Sequence, residues 1–223
     1  MKYYDRIALL YDLSHHLQTL WQDSRYRTDA AKCLSTLNGG AILDLGTGTA
    51  SSLIEILKRN PDSVGVGIDS SFQMLQMARK KLMTENLMIR AYLIMGDIEK
   101  KLPFLDNMFD AIVSVYGIGG LSQISNLLDE IIRISRPNAR ITMAEMTTPP
   151  MGMIKRLVHL KFVEPWIRYF WKFRDQNLID IFEKLNVKID INRHYNDRIL
   201  GSTTLISGVI KKTATQRDKN KLT

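Results

Sequence analysis

A mostly parallel α/β sheet flanked by helices is the fold this sequence predicts, and three observations predict it. Residues 41–45 form a short apolar run broken by one carboxylate, Asp44, as in a strand buried on both faces. Gly46 and Gly48 follow, and from Ser51 the apolar residues Leu53, Ile54 and Leu57 fall at helical spacing. Further apolar runs then alternate with amphipathic stretches, which is the order of a doubly wound sheet.

Residues 1–38 read as helical. An apolar stretch with polar ends covers 4–12, a second carries His15, His16, Leu17, Leu20 and Trp21, and a third covers 30–37. Ahead of a first strand, such helices are expected to lie over the ligand crevice as a lid, with Tyr11 closing the pocket. After the opening unit, 63–69 is a second buried strand ending in Asp69. Ser70 or Ser71 caps the next helix, whose inner face carries Met74, Leu75, Ala78 and Leu82. Residues 89–95 are the third strand, followed by Gly96, Asp97 and Ile98. The fourth strand, 109–116, ends in Val115 and Tyr116 and runs into the glycine-rich Gly117-Ile118-Gly119-Gly120.

Leu121, Ile124, Leu128, Ile131 and Ile132 mark an amphipathic helix that Arg136-Pro137-Asn138 stops, with Asn138 suited to a left-handed backbone. The fifth strand is 139–145. A helical insert at 147–175 interleaves apolar and basic residues, with Pro165 dividing it and Trp166, Tyr169, Phe170 and Trp171 at its end. A helix at 178–184 and strands at 187–192 and 203–210 complete a core domain of 39–212. The tail, 213–223, lacks apolar residues until Leu222 and is expected to be disordered.

The chain has 223 residues, enough for one α/β domain with a full core, and a net charge of +8. That charge is local. Lys155, Arg156, Lys161, Arg168, Lys172 and Arg174 face the single acid Glu164, and the tail from Lys211 onward is basic as well. The near-neutral remainder argues against a nucleic-acid groove spread across the fold. Aromatic and basic residues over 153–174 suit an anionic membrane surface or a large hydrophobic ligand; the same pattern also fits a helical insert packed on the sheet with a solvated basic face. A single cysteine, Cys33, excludes an intramolecular disulfide, and the four histidines show no ligand spacing, so no metal site is predicted. Without a signal peptide or a run approaching a membrane span, the expected location is the cytoplasm, with peripheral contact at the inner membrane surface.

The glycine turn limits the ligand. A dinucleotide fingerprint would place a third glycine where Ser51 stands, and no phosphate loop occurs anywhere. Asp44, two residues before Gly46, is poorly placed for phosphates but suited to fixing loop amides near a cationic ligand. A nucleoside without pyrophosphate fits, and S-adenosylmethionine (SAM) is such a ligand. Asp69, one βα unit on, can accept both ribose hydroxyls; Asp97 can accept from the adenine amino group while the Ile98 amide serves a ring nitrogen. The expected cofactor set is Tyr11, Asp44, Gly46, Thr47, Gly48, Asp69, Ser70, Met74, Gly96, Asp97, Ile98, Val115 and Tyr116.

Tyr4-Asp5-Arg6-Ile7-Ala8 with Tyr11-Asp12 resembles the amino-terminal signature of the UbiE/MenG-type methyltransferases. So does Gly96-Asp97-Ile98-Glu99 with Leu102-Pro103-Phe104 and Asn107-Met108-Phe109-Asp110-Ala111. Asp44-x-Gly46-x-Gly48-Thr49, then Asp69 with Met74, Leu75 and Ala78, complete a class I SAM-dependent pattern. The resemblance implies a Rossmann-like, seven-stranded sheet whose last two strands form an antiparallel edge hairpin. It also implies SAM as methyl donor, with S-adenosylhomocysteine as product. Three departures stand out: Ala50 replaces a third glycine, Arg136-Pro137-Asn138-Ala139 replaces Arg-Pro-Gly-Gly, and the fourth strand lacks the Arg-Asn pair expected near a quinone substrate.

The expected function is methyl transfer to a hydrophobic small molecule, such as a demethylmenaquinone-like quinone precursor or a polar lipid. An RNA or protein methyltransferase using the basic patches, and a SAM-binding module without catalysis, are the alternatives. Tyr116, His159 and His194 are the candidates for a catalytic base.

Overall fold

Alternating apolar runs and amphipathic stretches become a single layered sheet in the computed structural model, which describes residues 23–35, 37, 39–122, 124–147, 177–197 and 201–212. The elements in chain order are α1 (Asp23–Cys33), β1 (Gly40–Leu45), α2 (Ser51–Arg59), β2 (Ser63–Asp69), α3 (Phe72–Thr84) and β3 (Ala91–Met95). There follow β4 (Phe109–Val115), α4 (Ser125–Ile134), β5 (Ser135–Thr147), α5 (Leu178–Lys184), β6 (Val187–Asp197) and β7 (Gly201–Ile210). They form a 7-stranded sheet of spatial order β3-β2-β1-β4-β5-β7-β6. β1 to β5 pair in parallel, while β7 runs antiparallel between β5 and β6. Winding reverses between β1 and β4, so a crevice opens beyond the carboxyl ends of those two strands.

Each face of the sheet has its own core. On one, Phe109, Ile112, Ile141, Met143 and Ile206 pack with Leu127, Ile131 and Ile134 of α4 and Phe182 of α5. On the other, Ile42, Ala111, Val113 and Leu205 pack with Tyr26, Ala30 and Leu34. The amphipathic reading of α3 matches its buried face, Met74, Leu75, Ala78 and Leu82. Ser71 is its cap, accepting from Met74 N at 3.3 Å. Asn138 adopts φ 64°, the left-handed conformation its residue type suits.

Two arginines hold the connections. Arg90 donates to the carbonyls of Leu57 (2.6 Å), Asn60 (2.9 Å) and Ser63 (3.1 Å), satisfying the end of α2 and the turn into β2. Arg133 of α4 binds Glu130, Asp106 and the carbonyls of Leu102 and Phe104, tying the loop before β4 to the helix below it. These neighbours push the Arg133 pKa up, led by the Glu130 hydrogen bond, and Arg133 pulls Glu130 down.

Several boundaries differ from the sequence reading. β3 starts at Ala91 rather than at residue 89, and Ile89 is 87% exposed in the turn before it. β5 starts at Ser135, because Ser135 pairs with Phe109 before the register shifts and Arg140 pairs with Ala111. α4 begins after Leu121 and Ile124, and its inner face is completed by Leu127 and Ile134 instead. The helix read at 30–37 is α1, displaced toward the amino terminus; its described residues join the core rather than standing apart from it. Residues 1–22, most of the insert at 147–175 and the tail at 213–223 lie outside the described residues. Among the described residues no helix is long and apolar enough to cross a membrane.

Candidate active site

The crevice is floored by main chain. Gly46 has φ +67°, and a Cβ there would come within 2.7 Å of Gly117 Cα. A Cβ on Gly117 would in turn overlap Leu45 O. The loops leaving β1 and β4 therefore meet backbone on backbone, which only glycine at both positions permits. In front of Gly48 the described residues leave space: a Cβ there would meet none of them within 4 Å.

Three carboxylates stand at the ends of β1, β2 and β3. Asp44 is 1% exposed and accepts the Thr47 hydroxyl at 2.8 Å. Burial pushes its pKa up to about 7, the Thr47 hydrogen bond opposes this, the charge of Asp69 adds to it and Arg27 opposes it. Asp69 joins two elements, accepting from Gly48 N at 2.9 Å and from Ser71 N at 2.8 Å. The glycine loop and the start of α3 are thus referred to one carboxylate. Thr47 N donates to Ile68 O at 3.0 Å, and Gly96 N donates to Asp69 O at 2.9 Å, so the ends of β1, β2 and β3 are laced together. Asp97 accepts from Glu99 N at 3.1 Å and lies 3.8 Å from Lys100 Nζ. Ile98, Met74 and Val115 are buried beside these loops, and Ser70 lies between Asp69 and the helix cap.

Of the base candidates, the two described residues, Tyr116 and His194, are not brought together. Tyr116 has φ +59°, and its hydroxyl lies 2.8 Å from Thr203 Oγ1 on β7, its ring edge-on to Tyr26. His194 Nδ1 lies 2.9 Å from Thr204 Oγ1. Successive strand residues face opposite sides, so Tyr116 and His194 belong to different faces of the sheet. His159 and Tyr11 lie outside the described residues.

Two residues escaped the sequence reading. Arg27 on α1 is close enough to influence Asp44; its helix was read with the wrong boundaries, so no signal pointed to it. Glu145, 1% exposed, accepts from Ile118 N at 2.9 Å, and burial pushes its pKa up to about 8 against that hydrogen bond and the nearby amides of Gly117 and Gly119. Its signal was available: like Asp44, it is a lone acid within an apolar strand.

Comparison with known proteins follows this geometry. The model of the ubiE/COQ5 methyltransferase family matches residues 1–167. The ubiquinone/menaquinone biosynthesis C-methyltransferase UbiE of Geobacter sulfurreducens is 32% identical over 158 residues, covering 70% of this chain and 61% of that protein's length. The demethylmenaquinone methyltransferase of Thermotoga maritima is 29% identical over 170 residues, covering 76% and 71%. Among solved structures, geranyl diphosphate methyltransferase in complex with SAM superposes with a TM-score of 0.69 at 10% identity, covering 84% of this chain and 85% of that one, a likeness of fold.

Proposed function

The chain belongs to the ubiE/COQ5 methyltransferase family, and from that premise we propose that it transfers a methyl group from SAM to a hydrophobic small molecule of the quinone-precursor class. The observation that carries the reading is the set of carboxylates at the ends of β1, β2 and β3 around an open glycine loop that has no phosphate cradle. That donor set fits a cationic nucleoside. Asp69 serves the ribose, its two oxygens offering about four acceptor directions. Asp97 and Ile98 serve the adenine, with Gly96, Met74 and Ser70 shaping that end. Gly46, Thr47 and Gly48 flank the methionyl part, Asp44 offsets its positive charge, and Arg27 meets its carboxylate. Val115 and Tyr116 line the β4 side, and Tyr11 covers the pocket.

SAM supplies the electrophilic methyl when bound; the chain's own part is to orient the acceptor in line with it and to exclude water. An activated ring carbon or phenolate asks little more of the protein than removal of one proton. The aromatic and basic residues of 153–174 support acceptor capture at the cytoplasmic membrane surface, where quinone precursors partition.

Replacing Asp69 with Ala should raise the SAM dissociation constant at least about tenfold, from loss of hydrogen bonds to a charged group. Calorimetric titration checks this, and an unchanged constant would remove Asp69 from the ribose. For the acceptor, labelled SAM is incubated with separated lipid, RNA and protein extracts. Label in the organic fraction supports the reading, label in RNA or protein replaces it, and no label anywhere points to a binding module without catalysis.

A further inference from the structure

Glu145 is used by none of the cofactor contacts above, yet it is buried directly beneath the β4 loop. Its carboxylate accepts from Ile118 N at 2.9 Å, and the nearby amides of Gly117 and Gly119 add to the pull against burial on its pKa. The Ile118 N–H turned to Glu145 has a geometric consequence. The N–H and C=O of a trans peptide point in opposite directions, so the carbonyl of Gly117 is turned away from Glu145. Gly117 O lies 3.0 Å from where a Cβ on Gly46 would stand, so it faces the glycine loop of β1. Glu145 thus fixes, from below, the Gly117–Ile118 peptide dipole, whose negative end is turned to the glycine loop of β1. The ionised, acceptor-only carboxylate does this and is the form a bound cation favours, whereas a glutamine amide would set its own NH2 against the loop's N–H donor.

Resting on the reading of SAM as cofactor, we propose that Glu145 is a positioning residue that makes the crevice favour the cationic sulfonium of SAM over the neutral thioether of S-adenosylhomocysteine, acting through the oriented Gly117 carbonyl of the β4 loop. A sulfonium carries a full positive charge beside the transferring methyl, and a preorganised oxygen with a buried carboxylate behind it stabilises it more than an uncharged sulfur. Once the methyl has left, that attraction is gone and the product is held less tightly. Glu145 makes and breaks no bond in this scheme.

The test is calorimetric titration of SAM and of S-adenosylhomocysteine into the full chain, wild type, E145Q and E145D, with circular dichroism to establish folding. E145Q should weaken SAM about tenfold while changing S-adenosylhomocysteine by less than about threefold, the loss expected when hydrogen bonds to a charged group disappear. E145D, which keeps the charge but withdraws it by one methylene, should fall between the two. Equal losses for both ligands, or none, would overturn the proposal and leave Glu145 a purely structural residue. Should E145Q not fold, E145D decides: a preference for SAM equal to that of the wild type overturns it, and a reduced preference upholds it. Wild-type protein that binds neither ligand would instead overturn the cofactor reading, and this proposal with it.

Discussion

Tyr116 holds a backbone conformation that a bulky side chain adopts at a cost of roughly 1–2 kcal/mol. What keeps it there is on every side of it. Its N–H donates to Ala144 O at 2.9 Å, its hydroxyl meets Thr203, and its ring lies in the cluster with Tyr26 and Tyr195. This is an anchoring geometry for the start of the β4 loop, and the hydroxyl is spent on β7. Tyr116→Phe should therefore lower stability by about 1 kcal/mol, the usual worth of one hydrogen bond, and leave kcat nearly unchanged. Denaturant unfolding and steady-state kinetics measure the two quantities. A collapse of kcat in a folded variant would return the hydroxyl to the chemistry.

At the scale of elements, α2 begins awkwardly. Its N-cap, Ala50, sits at φ 61° and makes no side-chain capping bond, whereas Ser71 caps α3 in the ordinary way. Ala50→Gly should stabilise the protein by about 1 kcal/mol, since relief of the left-handed penalty outweighs the added freedom of the unfolded chain. A melting temperature equal to or below that of the wild type would show that the methyl of this fully buried residue matters more than its backbone. Elements were readable where one side-chain pattern decided them, as with the face Met74, Leu75, Ala78 and Leu82 of α3. They were misread where pairing decided. Pro137 and Asn138 look like a break between helix and strand, yet Phe109 opposite Ser135 draws the strand back to the helix end. Ile89 looks like strand and is left in solvent because β2 offers its first β3 partner, Gly65, to Ala91.

Across the whole molecule, Asp44 and Glu145 give stability an uncommon pH dependence. Their folded pKa values, about 7 and about 8, lie above the ordinary values of 3.8 and 4.5, so between those limits the fold binds more protons than the unfolded chain. Their contribution is complete below the unfolded values and is lost as pH rises through the folded ones. Asp29 and Glu130 act oppositely: their pKa values are lowered despite burial, Asp29 by Tyr195 and Lys32 and Glu130 chiefly by Arg133, so their contribution is lost as pH falls through the carboxylate range. The apo protein should melt highest near roughly pH 5–6 and less well at pH 8, with saturating SAM raising the alkaline side most because a cation favours both ionised carboxyls. Thermal scans from pH 4 to 9 test it; a melting temperature that climbs to pH 8 without SAM would sink it. The same pair marks how far the site was legible. Asp44, Asp69 and Asp97 could be named because each closes a strand beside glycine or a helix cap. Glu145 acts on a loop 27 residues away in sequence, a relation only the parallel pairing of β4 and β5 creates.

The seam where Gly46 meets Gly117 has one more consequence. A surface built of main chain has no side chains to exchange, so point substitution cannot reshape it gradually; a first methyl forces the two strand ends apart. Cofactor choice is thereby locked at the floor, while the walls around it are free to diverge. A lineage built on this seam can change what it methylates many times over without ever changing what it methylates with.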